Sequence, residues 1–488
     1  MTDNLQSRTT RALMWSAADR FGEQILRFLF TVFLARLLTP SDFGLIGMMM
    51  VFILIAEVVV TRGVPEALIQ KESLSADDLT TGLVMNLASS VVLYSVVVLS
   101  SGAIARFYSQ PELATLTPVI GSVIVFDALI TVKKSQLTRR LDFRTLLRVN
   151  LVATTVSGVV GIGLAWKGFG AWSLIALVFM NKMILTILLL RKTGLALHGQ
   201  FSRDSFHALF SYGWKLQLSG IFTAAFDNIH ALIIGRFFAV DIVGYYTKAR
   251  NIKNLPVHSL SAIVSRVTFP VFSSLQQDLP RLKRGLRRSI SMLVLVAFPL
   301  MIGMTATADR FVPVVLGEQW LPTVPFLQVL CLSGLLYVLH ASLAPIPKAI
   351  GRTDISLKLS LAKKLVSLLA IIIAIRWGVY ALVISQVVSS YIAYLLNASV
   401  AGRLIEYPFR EQMRDIAPCF VLASLMGVVV YAAGVLLPIE SDALVLVIQL
   451  ITGVSVYTGL CHLAGVQSWQ DLLKLHVLRP ATTSVSDG

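Results

Sequence analysis

Charge is the scarcest thing in this sequence. Asp, Glu, Lys and Arg supply 14% of its 488 residues, where a soluble domain carries about 25%. Hydrophobic residues supply 56%, too many for a soluble fold to cover with polar groups. A cytosolic enzyme and a disordered chain are thereby excluded. Cysteine is nearly as scarce. Cys331, Cys419 and Cys461 stand far apart in apolar runs, so neither a disulfide scaffold nor a metal-ligand spacing follows. The seven histidines are scattered and make no metal cluster. No Walker A sequence is present, which argues against ATP-driven export by this chain alone. We expect no cofactor, no metal and no catalytic residue, and hence no enzyme. The opening residues MTDNLQSRTTRALMW lack a compact apolar core ending in a small-residue cleavage site. They read as an uncleaved cytoplasmic lead into a first helix.

What the sequence does have is a succession of apolar stretches of bilayer length. There are about 14, at 12–36, 43–65, 79–104, 113–133, 146–166, 170–190, 211–236, 242–268, 289–312, 324–347, 357–376, 379–400, 416–437 and 443–464. Helices are expected, because they satisfy every backbone group in lipid. The short alternating segments of a β-barrel are missing. The fold class is therefore an all-α integral membrane protein with short outer loops. Residues 466–488 read as a polar cytoplasmic tail.

The basic residues test that map. Lys and Arg number 42 against 26 Asp and Glu. In a soluble protein this would suggest nucleic acid; here the question is which loops hold the charge. With the N-terminus in the cytoplasm, 28 of the 42 fall in the lead, the tail and the cytoplasmic loops with their flanks. The outer loops hold only Arg36, Arg106, Lys167, Arg236, Arg310 and Arg376. That asymmetry places both termini in the cytoplasm and leaves no role for nucleic acid. The densest basic stretches, Lys133 to Arg148 and Arg281 to Arg288, fall on the same side.

An internal repeat accompanies the charge pattern. Ala35-Arg36-Leu37-Leu38 leads to Asp42-Phe43-Gly44, and 200 residues later Gly235-Arg236-Phe237-Phe238 leads to Asp241-Ile242-Val243-Gly244. Arg36 and Arg236 should cap helix C-termini or pair with Asp42 and Asp241, making a structural turn with Gly44 and Gly244. The expected plan is two repeat-related six-helix bundles, 1–200 and 201–410, around a central cavity. A terminal hairpin at 411–465 follows. The same orientation for both makes the repeat parallel.

Ionisable residues inside the spans are the candidates for function, since charge at that depth is costly. The first span holds Asp19, Arg20, Glu23 and Arg27. Arg20 and Arg27 share a helix face, with Glu23 close to it. Either they form a cationic strip facing a cavity, or they are an interfacial helix end with local Arg–Glu pairs. The eighth span opens with Tyr245-Tyr246-Thr247-Lys248-Ala249-Arg250-Asn251-Ile252-Lys253. Three cations in six residues point to a cavity-facing anion site; the alternative is the outer interface. Pro256 can locally break that helix. For Glu57, Asp127, Lys182, Asp227, Lys363 and Lys364 structural pairing is the favoured reading.

The chain resembles the polysaccharide flippases of the multidrug/oligosaccharidyl-lipid/polysaccharide exporter superfamily, near the colanic-acid-exporter type of Wzx protein. The resemblance covers about 10–410. It rests on Ala35 to Gly44, on Ala67-Leu68-Ile69-Gln70 followed by Asn86, and on Arg139-Arg140-Leu141-Asp142-Phe143-Arg144. Further matches are Ile234-Gly235-Arg236-Phe237, Gly244-Tyr245-Tyr246, Phe269-Pro270-Val271-Phe272, Gly317-Glu318-Gln319-Trp320 and Gly351-Arg352-Thr353-Asp354. It implies two lobes worked by alternating access in the bacterial inner membrane. It implies an undecaprenyl-diphosphate-linked oligosaccharide as substrate, moved to the periplasmic leaflet for exopolysaccharide, capsule or O-antigen assembly. Membrane lipids are partners, with a polymerase and other assembly proteins as candidates. Members carry an acidic residue about a turn before the Ile-Gly-Arg; here that place belongs to His230, with Asp227 a turn earlier. Glu23, Asp227 and His230 are the candidates for gating or ion coupling, and Arg27 could face Asp227 across the cavity. The rival readings are a multidrug exporter of the same superfamily, a membrane-embedded transferase or polymerase of lipid-linked sugars, and a non-transporting scaffold.

Overall fold

The computed structural model describes residues 2–194, 199–274 and 278–477; side chains at 2–13, 17, 20, 193, 258–274 and 474–477 are not described. Contacts divide the chain into two units, Met1–Thr247 and Lys248–Gly488. The described residues contain helices and no strand.

The first unit holds α1 (Thr2–Leu37), α2 (Pro40–Thr61), α3 (Val64–Gln70), α4 (Ala76–Tyr108), α5 (Leu113–Gly121), α6 (Val123–Arg139), α7 (Phe143–Trp166), α8 (Ala171–Thr193) and α9 (Arg203–Phe237). It ends in the opening turns of α10 (Val240–Ser274). The α7 helix packs on α1 and α8, and α6 on α4 and α8. Ile130, Leu146, Val149, Ala153, Leu185 and Leu189 form the core between α6, α7 and α8. The α9 helix, which the repeat assigns to the second lobe, packs here on α2, α3 and α4.

Sequence signals explain the breaks. Thr39 caps α2 with a reciprocal bond to Asp42, and Ser75 caps α4 in the same way with Asp78, each pair satisfying two orphan donors. Between α2 and α3 the chain turns at Gly63, whose φ is +89°, a value glycine adopts without a Cβ clash. Pro65 follows and cannot donate to the ladder. The freed carbonyls of Val59 and Val60 accept from Gln217 and Asn86. Such repair is required where water is excluded. The Arg139 motif has a local role: its guanidinium caps α3 at the carbonyls of Leu68, Lys71 and Glu72. Asp142 then caps α7 through Thr145.

The second unit continues α10 and adds α11 (Leu279–Leu316), α12 (Thr323–Leu343), α13 (Ile346–Ala349), α14 (Thr353–Ala374), α15 (Val379–Leu404), α16 (Phe409–Leu436), α17 (Asp442–Leu463) and α18 (Gln467–Val477). The α11 helix packs on α12 and α16, α15 on α12 and α14, and α17 on α16. Ion pairs tie α11 to α16. Arg287 binds Asp415 with two bonds of 2.7 and 2.6 Å, and Lys283 reaches Glu411 at 2.8 Å. Tyr407 donates to Asp415 at 2.7 Å; burial first, then that carboxylate, pushes its phenol up. Part of the dense 281–288 basic stretch is thus structural glue.

Two expectations need correction. The polar tail at 466–488 is not mobile from its start, because it opens with a docked helix. Gly465, at φ +61°, ends α17, and residues Gln467–Val477 form α18, which packs on α11 and pairs Asp471 with Arg288. Residues 478–488 lie outside those described. Pro256 does not interrupt α10, which runs through it.

Among the described residues, eleven helical stretches are long and apolar enough to cross a membrane. The expected spans 12–36, 242–268 and 357–376 lie on α1, α10 and α14. These are also helices of at least 22 residues, but richer in charge.

Candidate anion-binding site

The basic opening of α10 holds its cations inward in the second unit. Lys248 is 3% exposed, and its ammonium lies 4.9 Å from the ring centre of Trp320, itself fully buried. A cation over an indole face is attracted by the ring quadrupole. Trp320 comes from the Gly317-Glu318-Gln319-Trp320 turn, so that motif builds the wall behind Lys248. One turn on, Lys253 is 9% exposed, near Arg250 and Cys331. It makes no ion pair or hydrogen bond among the described residues. Its stem lies against Gly334, where a Cβ would come within 3.2 Å. Arg250 is half-buried and Tyr246 is buried. A buried ammonium without a carboxylate is expensive, so the arrangement suits an anion brought from outside. The Arg adds a fork that fits phosphate oxygens.

The first-span candidates look different. Arg27 pairs with Glu23 at 2.6 Å, four residues apart, and its side chain is 63% exposed. This is the local Arg–Glu pair, and Arg27 makes no ion pair with Asp227. Arg20's side chain lies outside the described residues. Asp227 is exposed on α9, and His230 one turn on is buried.

The repeat-related turns meet within the first unit. A Cβ on Gly44 would strike the carbonyl oxygen of Val240, and one on Gly244 would strike that of Pro40. Ser41 donates to Asp241, 200 positions on. A Cβ on Gly47 would lie 2.9 Å from the Thr247 hydroxyl. The two glycines therefore let α2 and α10 touch backbone to backbone, reciprocally. Arg236 stands in the last turn of α9, 5.4 Å from the ring of Phe107, and Arg36 in that of α1. Asp42 and Asp241 serve as cap and acceptor at these turns.

One cluster escaped the candidate residues. Lys182 on α8 binds Asp127 on α6 at 2.5 Å and Glu57 on α2 at 3.0 Å. Each charge was visible, but no spacing joins positions 57, 127 and 182. Their apolar surroundings were the only available signal. Among the described residues no group of His, Cys, Asp and Glu could hold a metal, and the three cysteines are free and buried.

A multi-pass helical protein with organised charge at membrane depth belongs to the class of integral membrane transport folds. The solved structure titled lipid II flippase MurJ, inward closed conformation, shares this fold at a TM-score of 0.74 and 15% identity, over 94% of this chain and 100% of that one. The family model described as polysaccharide biosynthesis protein matches residues 33–325, and the chain belongs to that family. It is 26% identical to the teichuronic acid biosynthesis protein TuaB of Bacillus subtilis (strain 168), over 92% of this chain and 93% of that protein. It is 25% identical to the lipopolysaccharide biosynthesis protein WzxC of Escherichia coli (strain K12), over 89% of each.

Proposed function

We propose that this protein is a flippase for an undecaprenyl-diphosphate-linked oligosaccharide, moving it from the cytoplasmic to the periplasmic leaflet for extracellular polysaccharide assembly. One observation carries the reading. The chain aligns nearly end to end with relatives named for the biosynthesis of two different cell-surface polymers. Donor chemistry agrees: a diphosphate is strongly anionic, and Lys248, Arg250 and Lys253 supply three cations within six positions of one helix. An exporter of organic cations would want the opposite.

The finer plan follows from the sequence. Fourteen spans cross the bacterial inner membrane, with α1, α10 and α14 the most charged of them. Both termini lie in the cytoplasm. Lobes 1–200 and 201–410 are repeat-related, and 411–465 is an added hairpin. Alternating access needs two arrangements close in free energy, and the Gly44–Gly244 contact is the seam that one of them closes. A polymerase and other assembly proteins take the product.

The experiment is transbilayer movement of a lipid-linked oligosaccharide in vesicles holding the purified protein. Lys253→Ala and Arg250→Ala should each slow it about tenfold at normal protein content, the loss of one charge-assisted phosphate contact. No movement above protein-free vesicles would overturn the function. Cysteine labelling tests topology: periplasmic labelling at Ser289 with Gly317 protected would invert the model.

A further inference from the structure

Two carboxylates and one ammonium, from three helices, meet inside the first unit. Lys182 sits between Asp127 and Glu57. Lys134, two turns beyond Asp127 on α6, acts on Asp127 and Lys182 and also on Asp19 and Glu23 of α1. Glu23 holds Arg27, and Asp19 accepts from Asn150 of α7. Within the cluster of Asp127, Glu57 and Lys182 itself, two carboxylates face one ammonium. The helices packed on α6 also carry Asp42 (α2), Glu66 (α3), Asp77, Asp78 and Arg106 (α4, Asp78 held by Lys71 and Ser205), Arg144 and Arg148 (α7) and Arg191 and Lys192 (α8), and α6 itself carries Lys133 and Arg139; α5 has no charge. The cation bound to Asp127 is Lys182, at 2.5 Å.

The deficit centres on Asp127. It is 3% exposed. Its Oδ1 accepts from Lys182, while its Oδ2 is sealed from solvent with no donor. Glu57 binds the same ammonium at 3.0 Å, which brings the two carboxyls together on Lys182. Two carboxylates this close do not both ionise readily in a dry site, and lipid depth raises the cost of a net charge.

We propose that Asp127, Glu57 and Lys182 form a binding site for one exchangeable proton, carried by one or the other of the two carboxyls that Lys182 joins. A metal ion suits the place less well, because the ammonium already lies between the acids. Use of this proton to couple transport rests on the flippase reading; the existence of the site does not.

The test is infrared spectroscopy of the purified full-length protein in lipid vesicles, reading the protonated-carboxyl stretch at neutral pH in potassium buffer. The wild type should show a band that Asp127→Asn and Glu57→Gln each abolish, because one carboxylate and one ammonium then balance. Lys182→Met should roughly double it, because two acids then lack a cation. If Asp127→Asn fails to fold, the Glu57→Gln and Lys182→Met pair carries the same opposition. A band unchanged by Glu57→Gln, or weakened by Lys182→Met, would overturn the proposal. So would a wild-type band cleared by sodium at constant pH, which marks a metal-cation site. The measurement needs no transported substrate, so a protein that fails to move lipid-linked sugar can still pass it.

Discussion

Lys182 and Lys253 are both lysines inside helices, and they are compensated in opposite ways. Lys182 in the first unit lies between two carboxylates at 2.5 and 3.0 Å. Lys253 in the second unit is 9% exposed beside Arg250 and a cysteine. The first cation is part of the protein's own electrostatic balance. The second makes no ion pair among the described residues, and on the proposed function its counter-charge is the substrate's diphosphate. On that proposal the difference separates a charge that stabilises the fold from one kept for binding.

Breaking the first arrangement should give the largest effect on stability. Lys182→Ala removes one partner of a part-buried network and should cost roughly 3 kcal/mol, read as a fall in melting temperature of the detergent-solubilised protein. The neutral triple Glu57→Gln, Asp127→Asn, Lys182→Met should recover most of it, because no uncompensated charge remains. Lys253→Met is the mirror experiment. It should leave the melting temperature unchanged or raised while lowering substrate affinity about tenfold. A large loss of stability there would make Lys253 a structural residue and end the comparison.

The α2–α10 seam sharpens the comparison from a third place. Gly44→Val puts side-chain atoms where the Val240 carbonyl sits. Overpacking against backbone costs about 1–3 kcal/mol. The expected readout is weaker cross-linking between cysteines placed at Ser41 and Asp241, with transport reduced. Unchanged cross-linking would mean that the contact is not a moving seam. The smallest effect belongs to Arg27→Ala. An exposed i,i+4 pair contributes about 0.3–0.5 kcal/mol, so melting should barely move. A tenfold loss of lipid movement at that variant would restore Arg27 as a substrate ligand.

Legibility differed between fold and site. The helices were readable because each segment must satisfy its own backbone, so length and apolarity reveal it locally. Lys248, Arg250 and Lys253 were readable because three cations fall within six positions of one helix. The 200-residue spacing of Arg27 and Asp227 carries no information about nearer partners: in this structure Arg27 pairs with Glu23, one turn away on the same helix. The tail helix α18 was missed because its order comes from docking on α11 and from Arg288.

By itself the sequence determined a multi-span helical membrane protein, its charge asymmetry, and the repeat of Arg36 and Gly44 at Arg236 and Gly244. Those features depend on residues near one another or on a regular period. Tertiary structure decided which buried charges find partners. Glu57, Asp127 and Lys182 come from three helices and meet only after packing. Trp320 reaches Lys248 across more than seventy residues. A charge inside a membrane is stabilised by whatever lies within a few ångströms of it, and that neighbourhood is written by the fold.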